Sequence, residues 1–412
     1  MKYMSSRGAE KGLSFQKVLF SGYAKDGGLY FPESVPALPP GLISSWSTLS
    51  YPDLVKQIMK LFIHQDEIPS LELDKLIENA FISFRDPTTP IQIARLKNNI
   101  AVAELFHGPT LAFKDLALCV VGQLYEYFLA RAQKHMTVLI GTSGDTGSAA
   151  ISAVRGLEWV DVVVLLPKGR CTMIQELQMT TVLEDNVHNF CVDGTSDDLD
   201  VPIKAVFADA DYVEKHNLCS INSINWARIL VQISHYFYCY YQMVEKPGDR
   251  VEIIIPTGAC GNIAAGYVAR EMGLPVDLVA AVTPNDIVHR TLQTGDFSLS
   301  EEVLQSWATA MDIQVPYNVE RMILMASGLD TSRVCELMKI FEESHQGCQI
   351  PEDLLNKIRD VVVDSMMVDN DVMIDVLGRC FTENDYIICP HTSVGVAYAY
   401  ANPKPIPQVR KP

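Results

Sequence analysis

Short apolar runs alternate with helix-length stretches through the middle of the chain. The runs are rich in Val and Ile at consecutive positions, a pattern typical of strands buried on both faces. They are predicted to form strands over residues 137–140, 162–166, 187–192, 251–255 and 277–282. Helical stretches between them end near residue 155, cover 173–183 and 199–208, and end near 272. This alternation indicates an α/β protein with parallel twisted sheets and flanking helices.

The regions on either side follow other patterns. Residues 1–95 are interrupted by Pro and Ser and show helical stretches near 51–62 and 71–81. Residues 304–377 are predicted to be mostly helical. The Pro-rich tail, 402–412, cannot pack as a helix or as a central strand.

The composition is that of a globular protein, since 48% of the 412 residues are hydrophobic and the mean hydropathy is +0.11. The net charge of −17, from 33 basic and 50 acidic residues, disfavours nucleic acids and anionic membranes as partners. No apolar run approaches the roughly 20 residues of a membrane span. The ten cysteines form no Cys-x-x-Cys pair, so we expect reduced thiols, a cytoplasmic location and no metal site.

Two glycine-rich loops follow predicted strands and open predicted helices. The first, LIGTSGDTGSAA at 139–150, surrounds the helix start with polar side chains. The second, IIIPTGACGNIAAG at 253–266, contains no cation. Each is either a tight turn with capping hydroxyls or an anion site built on helix-start amides. The candidate residues are Ser143, Asp145 and Thr146 in the first loop, and Gly258, Ala259, Cys260, Gly261 and Asn262 in the second.

The stretch NSINWARIL at 222–230 places two amides and a guanidinium three residues apart. On a helix, Asn222, Asn225 and Arg228 would share one face and could grip an oxyanion. The alternative interpretation is a solvated polar face or a helix cap.

Lys114 lies at the first turn of a predicted helix that runs to about Phe128, after the strand-like, apolar run 100–106 that we predict to be buried. A helix N-terminus is the unfavourable end for a cation, and the neighbouring residues 111–113 are apolar. Both effects favour the neutral amine, which is the form that attacks a carbonyl to make a Schiff base. A solvated surface lysine is the alternative. Asp115 is expected to be only a favourable N-terminal charge.

Taken together, these segments resemble the threonine synthases, which are pyridoxal-phosphate enzymes of fold type II. The resemblance rests on DGGLYFPE (26–33), ELFHGPTLAFKD (104–115), GTSGDTG (141–147), NSINWAR (222–228), PTGACGN (256–262) and PHTSVGVAY (390–398). These motifs follow the family order over nearly the whole chain. The family's phosphate loop is usually Gly-Asn-Phe-Gly-Asp, so loop 258–262 keeps the backbone pattern but differs in its side chains.

The resemblance implies pyridoxal 5'-phosphate as cofactor, bound covalently by Lys114 with Phe113 nearby and with its phosphate held by loop 258–262. It implies that Ser143, Asp145, Thr146, Asn222, Asn225 and Arg228 face a small phosphorylated amino acid. The implied domains are an N-terminal domain (1–95), a large cofactor domain in two parts (96–130 and 211–401), a small α/β domain (131–210) and the tail (402–412).

The resemblance leaves the reaction outcome open. The likeness is greatest to an animal branch described as phospho-lyases, which favours elimination of phosphate to give 2-oxobutyrate, ammonia and phosphate. The alternatives are a threonine synthase and a catalytically weak chain that acts by binding a partner. A late family strand brings a hydroxyl to the pyridine nitrogen and has no counterpart before Pro412, so weaker cofactor binding is expected. Monomer and homodimer both remain open.

Overall fold

The computed structural model describes residues 1–404 apart from 143, 195, 247 and 345–346. The chain forms two compact units. The first contains Met1–Ser34, Thr48–Ile91 and Leu105–Tyr238, and the second contains Val35–Ser47, Gln92–Glu104 and the chain from Cys239 onward. Among the described residues, no helix combines the length and the apolar character that crossing a membrane requires.

The strands of the described residues are β1 Tyr3–Ser5, β2 Tyr30–Pro32, β3 Gln92–Arg95, β4 Ala101–Glu104, β5 Met136–Gly141, β6 Val160–Pro167, β7 Val187–Val192, β8 Leu218–Cys219, β9 Val251–Pro256, β10 Val276–Val282 and β11 Val362–Met367. The helices are α1 Phe15–Leu19, α2 Pro40–Ser45, α3 Tyr51–Phe62, α4 Ser70–Phe81, α5 Asp115–Ala132, α6 Asp145–Val154, α7 Met173–Thr180, α8 Ser196–Ala208, α9 Ala210–His216, α10 Trp226–Met243, α11 Gly261–Glu271, α12 Ile287–Thr294, α13 Val319–Ala326, α14 Thr331–Ser344, α15 Glu352–Arg359, α16 Asn370–Asn384 and α17 Pro390–Ala401. A 3-10 turn covers Thr309–Met311.

The first unit is built on a parallel sheet with the strand order β7-β6-β5-β8. Alternate residues such as Val138 on β5 and Val162 on β6 are fully buried, as expected for strands covered by helices. Helices α6 and α8 pack against this sheet, and α5 packs against α6. The loops that follow β5 and β6 therefore open at the same edge of the sheet.

Within the first unit, the N-terminal segment packs against the remaining helices through an aromatic cluster. Strands β1 and β2 form an antiparallel pair, and the Tyr3 hydroxyl donates a 2.7 Å hydrogen bond to the carbonyl oxygen of Phe62. The ring of Trp226, at the start of α10, lies 5.2 Å from that of Phe31 and 5.9 Å from that of Phe62. The Tyr125 hydroxyl on α5 donates to the carbonyl oxygen of Leu19. These contacts join the N-terminal helices to α5 and α10.

The second unit is built on the parallel sheet β11-β10-β9. The central strand β10 is buried on both faces, with Leu278, Val279 and Ala280 fully inaccessible. Helix α17 packs against β9, where a Cβ at Gly395 would lie 3.3 Å from the Pro256 ring. The loop that follows β9 leads directly into α11, so this unit presents the second glycine-rich segment.

The predicted α/β class is confirmed, and the five predicted strands are present as β5, β6, β7, β9 and β10. The interpretation of 100–106 as a buried strand is wrong. Strand β4 is short and half-buried, and it pairs with β3 in an antiparallel hairpin. Its small side chains, Ala-Val-Ala, and a single partner strand leave it partly exposed.

The prediction that residues 304–377 are mostly helical is confirmed over α13, α14, α15 and the start of α16. The segment also contains strand β11 and, before α13, mainly irregular chain, which the sequence did not predict. The first unit contains residues 131–210 together with most of 1–95, and the predicted domain boundaries stay a prediction. Residues 405–412 of the predicted tail lie outside the described residues.

Candidate active site

Lys114 lies immediately before α5, and its side chain is 13% exposed. Its Nζ is 3.3 Å from Oδ2 of Asp145, the first residue of α6. Burial is the largest influence on the Lys114 pKa and lowers it, the nearby Arg228 guanidinium lowers it further, and Asp145 opposes both. The net lowering favours the neutral amine. The electrostatic mismatch at this helix start therefore leaves an amine suited to nucleophilic and base chemistry.

The loop before Lys114 is fixed by a buried carboxylate. Asp115 is fully buried and accepts hydrogen bonds from the Thr110 amide (2.8 Å) and the Thr110 hydroxyl (2.7 Å). A Cβ at Gly108 would lie 2.5 Å from the Cβ of Asp115, so only glycine permits this approach. Burial raises the pKa of Asp115. The sequence analysis gave Asp115 only a helix-end role and missed that it holds the loop that carries Lys114.

Asp145 is held by its own loop and by a neighbouring helix. Gly144, just before it, has a φ of +148°, and the Thr142 hydroxyl accepts from the amides of Gly144 (3.0 Å) and Gly147 (3.1 Å). Oδ1 of Asp145 accepts from Nε2 of Gln175 on α7, a contact that the sequence analysis did not anticipate. Thr146, a predicted substrate ligand, is half-buried in the first turn of α6. Ser143 lies outside the described residues.

The three polar residues of NSINWAR do not share a helical face, because α10 begins only at Trp226. Asn225 is fully buried, donates to the Leu19 carbonyl (2.9 Å) and accepts from the Ala227 amide (2.9 Å). The carboxamide of Asn225 therefore caps α10, which is the alternative role that the sequence suggested. For this reason we leave Asn225 out of the proposed substrate site. Asn222 lies half-buried in the preceding turn.

Arg228 is a buried cation without an anionic partner among the described residues. Its side chain is 3% exposed, and one terminal nitrogen donates to the Ile221 carbonyl at 2.8 Å. Its Nε is buried and has no hydrogen-bond partner in the described part of the chain. Burial lowers the pKa of Arg228 to about 10, so the guanidinium remains charged at neutral pH. A buried charge of this kind is stabilised when an anion binds beside it.

The second glycine-rich loop, in the second unit, is arranged to present amides. Cys260 adopts a left-handed conformation with φ 60° directly before α11, and no described side chain caps that helix. The Ala259 carbonyl accepts from the backbone amide (3.3 Å) and the carboxamide (3.0 Å) of Asn318. A Cβ at Gly258 would lie 3.1 Å from Cα of Met311. With this carbonyl held by Asn318, the donor set of Gly261, Asn262 and the rest of the helix start fits a phosphate group.

Each unit by itself offers a feature that fits pyridoxal phosphate: the first contains the Lys114 amine of lowered pKa, and the second contains the amide-lined start of α11. Phe113 is 36% exposed, and its ring centroid lies 5.5 Å from Nζ of Lys114. Among the described residues, no group of three or more His, Cys, Asp or Glu side chains could hold a metal ion.

Comparison with known proteins agrees with this chemistry. Residues 85–345 match the family described as pyridoxal-phosphate dependent enzyme, and residues 2–81 match the threonine synthase N terminus. The chain belongs to the threonine synthase family, and it is a fold type II enzyme that uses pyridoxal 5'-phosphate.

Two relatives and one solved structure show the extent of the likeness. The chain is 52% identical to human threonine synthase-like 2 over 404 residues, 97% of this chain and 83% of that protein. It is 39% identical to the threonine synthase of Saccharomyces cerevisiae over 421 residues, 96% of this chain and 82% of that one. The crystal structure of pyridoxal-phosphate-bound threonine synthase from Brucella melitensis superposes with a TM-score of 0.92 at 35% identity, covering 98% of this chain and 86% of that one.

Proposed function

We propose that the chain is a phospho-lyase that converts O-phosphothreonine or O-phosphohomoserine, with one water, into 2-oxobutyrate, ammonia and phosphate. The observation that carries the proposal is Arg228, a buried guanidinium that has no anionic partner among the described residues and whose charge lowers the pKa of Lys114. A substrate with an anionic leaving group would supply such a partner.

In the proposed mechanism Lys114 would hold the cofactor, and its free amine would remove the proton from the substrate Cα. Burial lowers the pKa of Lys114, which increases the fraction of neutral amine that can act as a base. Asp145, 3.3 Å from Nζ, orients the amine and stabilises it once it is protonated. When bound, pyridoxal phosphate supplies the electron sink for the resulting carbanion.

Arg228 would stabilise the phosphate as it leaves Cβ or Cγ, because charge develops on the departing oxygen in the transition state. Asn222, Thr146 and Ser143 are proposed as further ligands of the anionic substrate groups. Loop 258–262 would hold the cofactor phosphate through its backbone amides.

The second candidate is threonine synthase, in which water adds at Cβ and threonine is released. The 39% identity to the yeast enzyme of that name favours it, whereas the lyase rests on the resemblance to the animal branch drawn from the sequence motifs. Incubating the cofactor-loaded protein with each phosphorylated amino acid and measuring phosphate, 2-oxobutyrate and threonine distinguishes them. Phosphate with 2-oxobutyrate supports the lyase, and phosphate with threonine supports the synthase. A protein that shows the visible Schiff-base absorbance but releases no phosphate would contradict both.

The role of Arg228 is tested by Arg228→Met, which retains the apolar length of the side chain. Losing a hydrogen bond to a charged group costs about 1.5–3 kcal/mol, so kcat/KM for phosphorylated substrates should fall by roughly one to two orders of magnitude. Affinity for unphosphorylated threonine and the cofactor spectrum should stay unchanged. Equal losses for both ligands would show that Arg228 only supports the fold.

A further inference from the structure

Helix α7 turns two glutamines toward the loops of the candidate site. Gln175 Nε2 donates to Oδ1 of Asp145, and Gln178 Nε2 donates to the Thr110 carbonyl at 3.0 Å. A Cβ at Gly144 would lie 2.6 Å from the Gln175 carboxamide carbon, so the glycine makes room for this side chain. The opposite side of α7 is exposed, with Ile174 69% accessible. The position of the Gln175 side chain is therefore set by its hydrogen bonds to Asp145 and Thr172, and not by packing in a hydrophobic core.

The orientation of the Gln175 carboxamide follows from its other partner. Thr172, the N-cap of α7, accepts from the Gln175 amide at 3.3 Å, so its hydroxyl proton is available to Oε1 of Gln175 at 2.9 Å. The carboxamide oxygen thus faces Thr172 and the NH2 group faces the Asp145 carboxylate. The reverse orientation would set two oxygens against each other at Asp145. A chain of hydrogen bonds results, in which Thr172 donates to Gln175, and Gln175 and Lys114 both donate to Asp145.

We propose that Gln175 is a positioning residue, oriented by Thr172, which fixes the Asp145 carboxylate so that Oδ2 faces the Lys114 amine. With Oδ1 held by a neutral donor, the carboxylate cannot rotate away from Nζ. Through Asp145, the uncharged Gln175 controls the proton affinity of the lysine without adding a charge of its own. The inference rests on the proposed role of Lys114, but not on which product is released.

The charged groups that act on Lys114 come from three elements. They are Asp145 on α6, Arg228 on α10 and Asp115 on α5, and the two carboxylates favour the ammonium while Arg228 disfavours it. Helix α7 contributes a neutral amide at this point. Replacing that amide with a carboxylate would place a second negative charge beside Asp145, and replacing it with an apolar side chain would remove the hydrogen bond to Oδ1 of Asp145.

The test measures how labelling of Lys114 by an amine-acylating reagent depends on pH in the full-length, cofactor-free chain, with mass spectrometry locating the label. For Gln175→Glu, the pH midpoint should rise by about one unit, because an added charge nearby favours the ammonium. For Gln175→Met, the midpoint should fall, because Asp145 no longer stays beside Nζ. Gln178→Met, which removes the other α7 donor but not the contact to Asp145, should leave the midpoint unchanged.

A second pair of variants leaves Gln175 intact. Thr172→Val removes the orienting hydroxyl and should lower the midpoint in the same direction as Gln175→Met, whereas Thr172→Ser should retain the parental value. The proposal is overturned if Gln175→Glu and Gln175→Met shift the midpoint in the same direction, or if neither shifts it. Product analysis is independent of these results, since the labelled protein contains no cofactor.

Discussion

Gly122 lies where α5 and α6 pack closely, and replacing it by alanine should separate the two helices. A Cβ at Gly122 would overlap the Ala153 carbonyl oxygen and lie 3.0 Å from its carbonyl carbon. The contact is eight residues from Lys114 along α5 and eight from Asp145 along α6, or about 12 Å along each helix. Because both helices begin at the candidate site, their spacing at Gly122 sets the spacing of their starting residues.

The size of the effect can be worked out from this contact. Favourable carbon–carbon contacts lie at about 3.5–4.0 Å and the Ala153 oxygen is closer than the carbon, so the helices must separate by about 1 Å or more. Overpacking of this kind costs about 1–3 kcal/mol, and a backbone obstacle places Gly122→Ala at the upper end. The alanine recovers about 0.5–1 kcal/mol of helix propensity. The free energy of unfolding should therefore fall by about 2 kcal/mol.

Urea denaturation measures the stability, and pH-dependent acylation measures the Lys114 pKa in the same variant. The labelling midpoint should fall, because separation moves Asp145 away from Nζ. The control is Gly378→Ala on α16, where a Cβ meets nothing within 4 Å and the exchange should stabilise by about 0.5–1 kcal/mol. If Gly122→Ala were stabilising to the same degree as the control, the close approach of α5 and α6 would not constrain the site.

Two further predictions concern the second unit. Gly258→Val should weaken pyridoxal-phosphate binding at least about tenfold in a fluorescence titration, because the valine side chain would meet Cα of Met311. Unchanged affinity would argue against loop 258–262 as the phosphate site. Burial raises the pKa of the Cys389 thiol, but hydrogen bonds from His391 and Thr392 outweigh it and lower the pKa to about 7. The pH midpoint of iodoacetamide labelling at Cys389 should therefore lie near 7, and it should rise in His391→Phe. A midpoint near pH 9 in the parental protein would contradict this prediction.

The periodic parts of the fold could be predicted from the sequence because their burial is regular. Strand β10 is buried on both faces, β6 has alternate residues buried, and both contain an apolar run, at 278–282 and 162–166. Strand β11 could not be recognised, since Asp364 and Ser365 interrupt its apolar run and it pairs with one neighbour only.

The candidate lysine was identified from its position, but its supporting residues were not. Asp115 looks like an ordinary helix-start acid, and only its contact with Thr110 and the close approach of Gly108 show that it is buried. Gln175 looks like a surface residue of an amphipathic helix until the packing of α7 places it beside Asp145. The Thr-to-Asp spacing of five residues after a Gly-Pro pair is the local signal that could have indicated the first of these contacts.

The pairing of Thr110 with Asp115 has a kinetic consequence. The two residues are five positions apart, so their contact closes a short loop at little entropic cost and within about 0.1 μs. Lys114, inside that loop, should therefore already be arranged in the empty protein before the cofactor arrives. Capture of pyridoxal phosphate would then need no slow reorganisation of this segment, and its observed rate should rise in proportion to cofactor concentration without reaching a plateau.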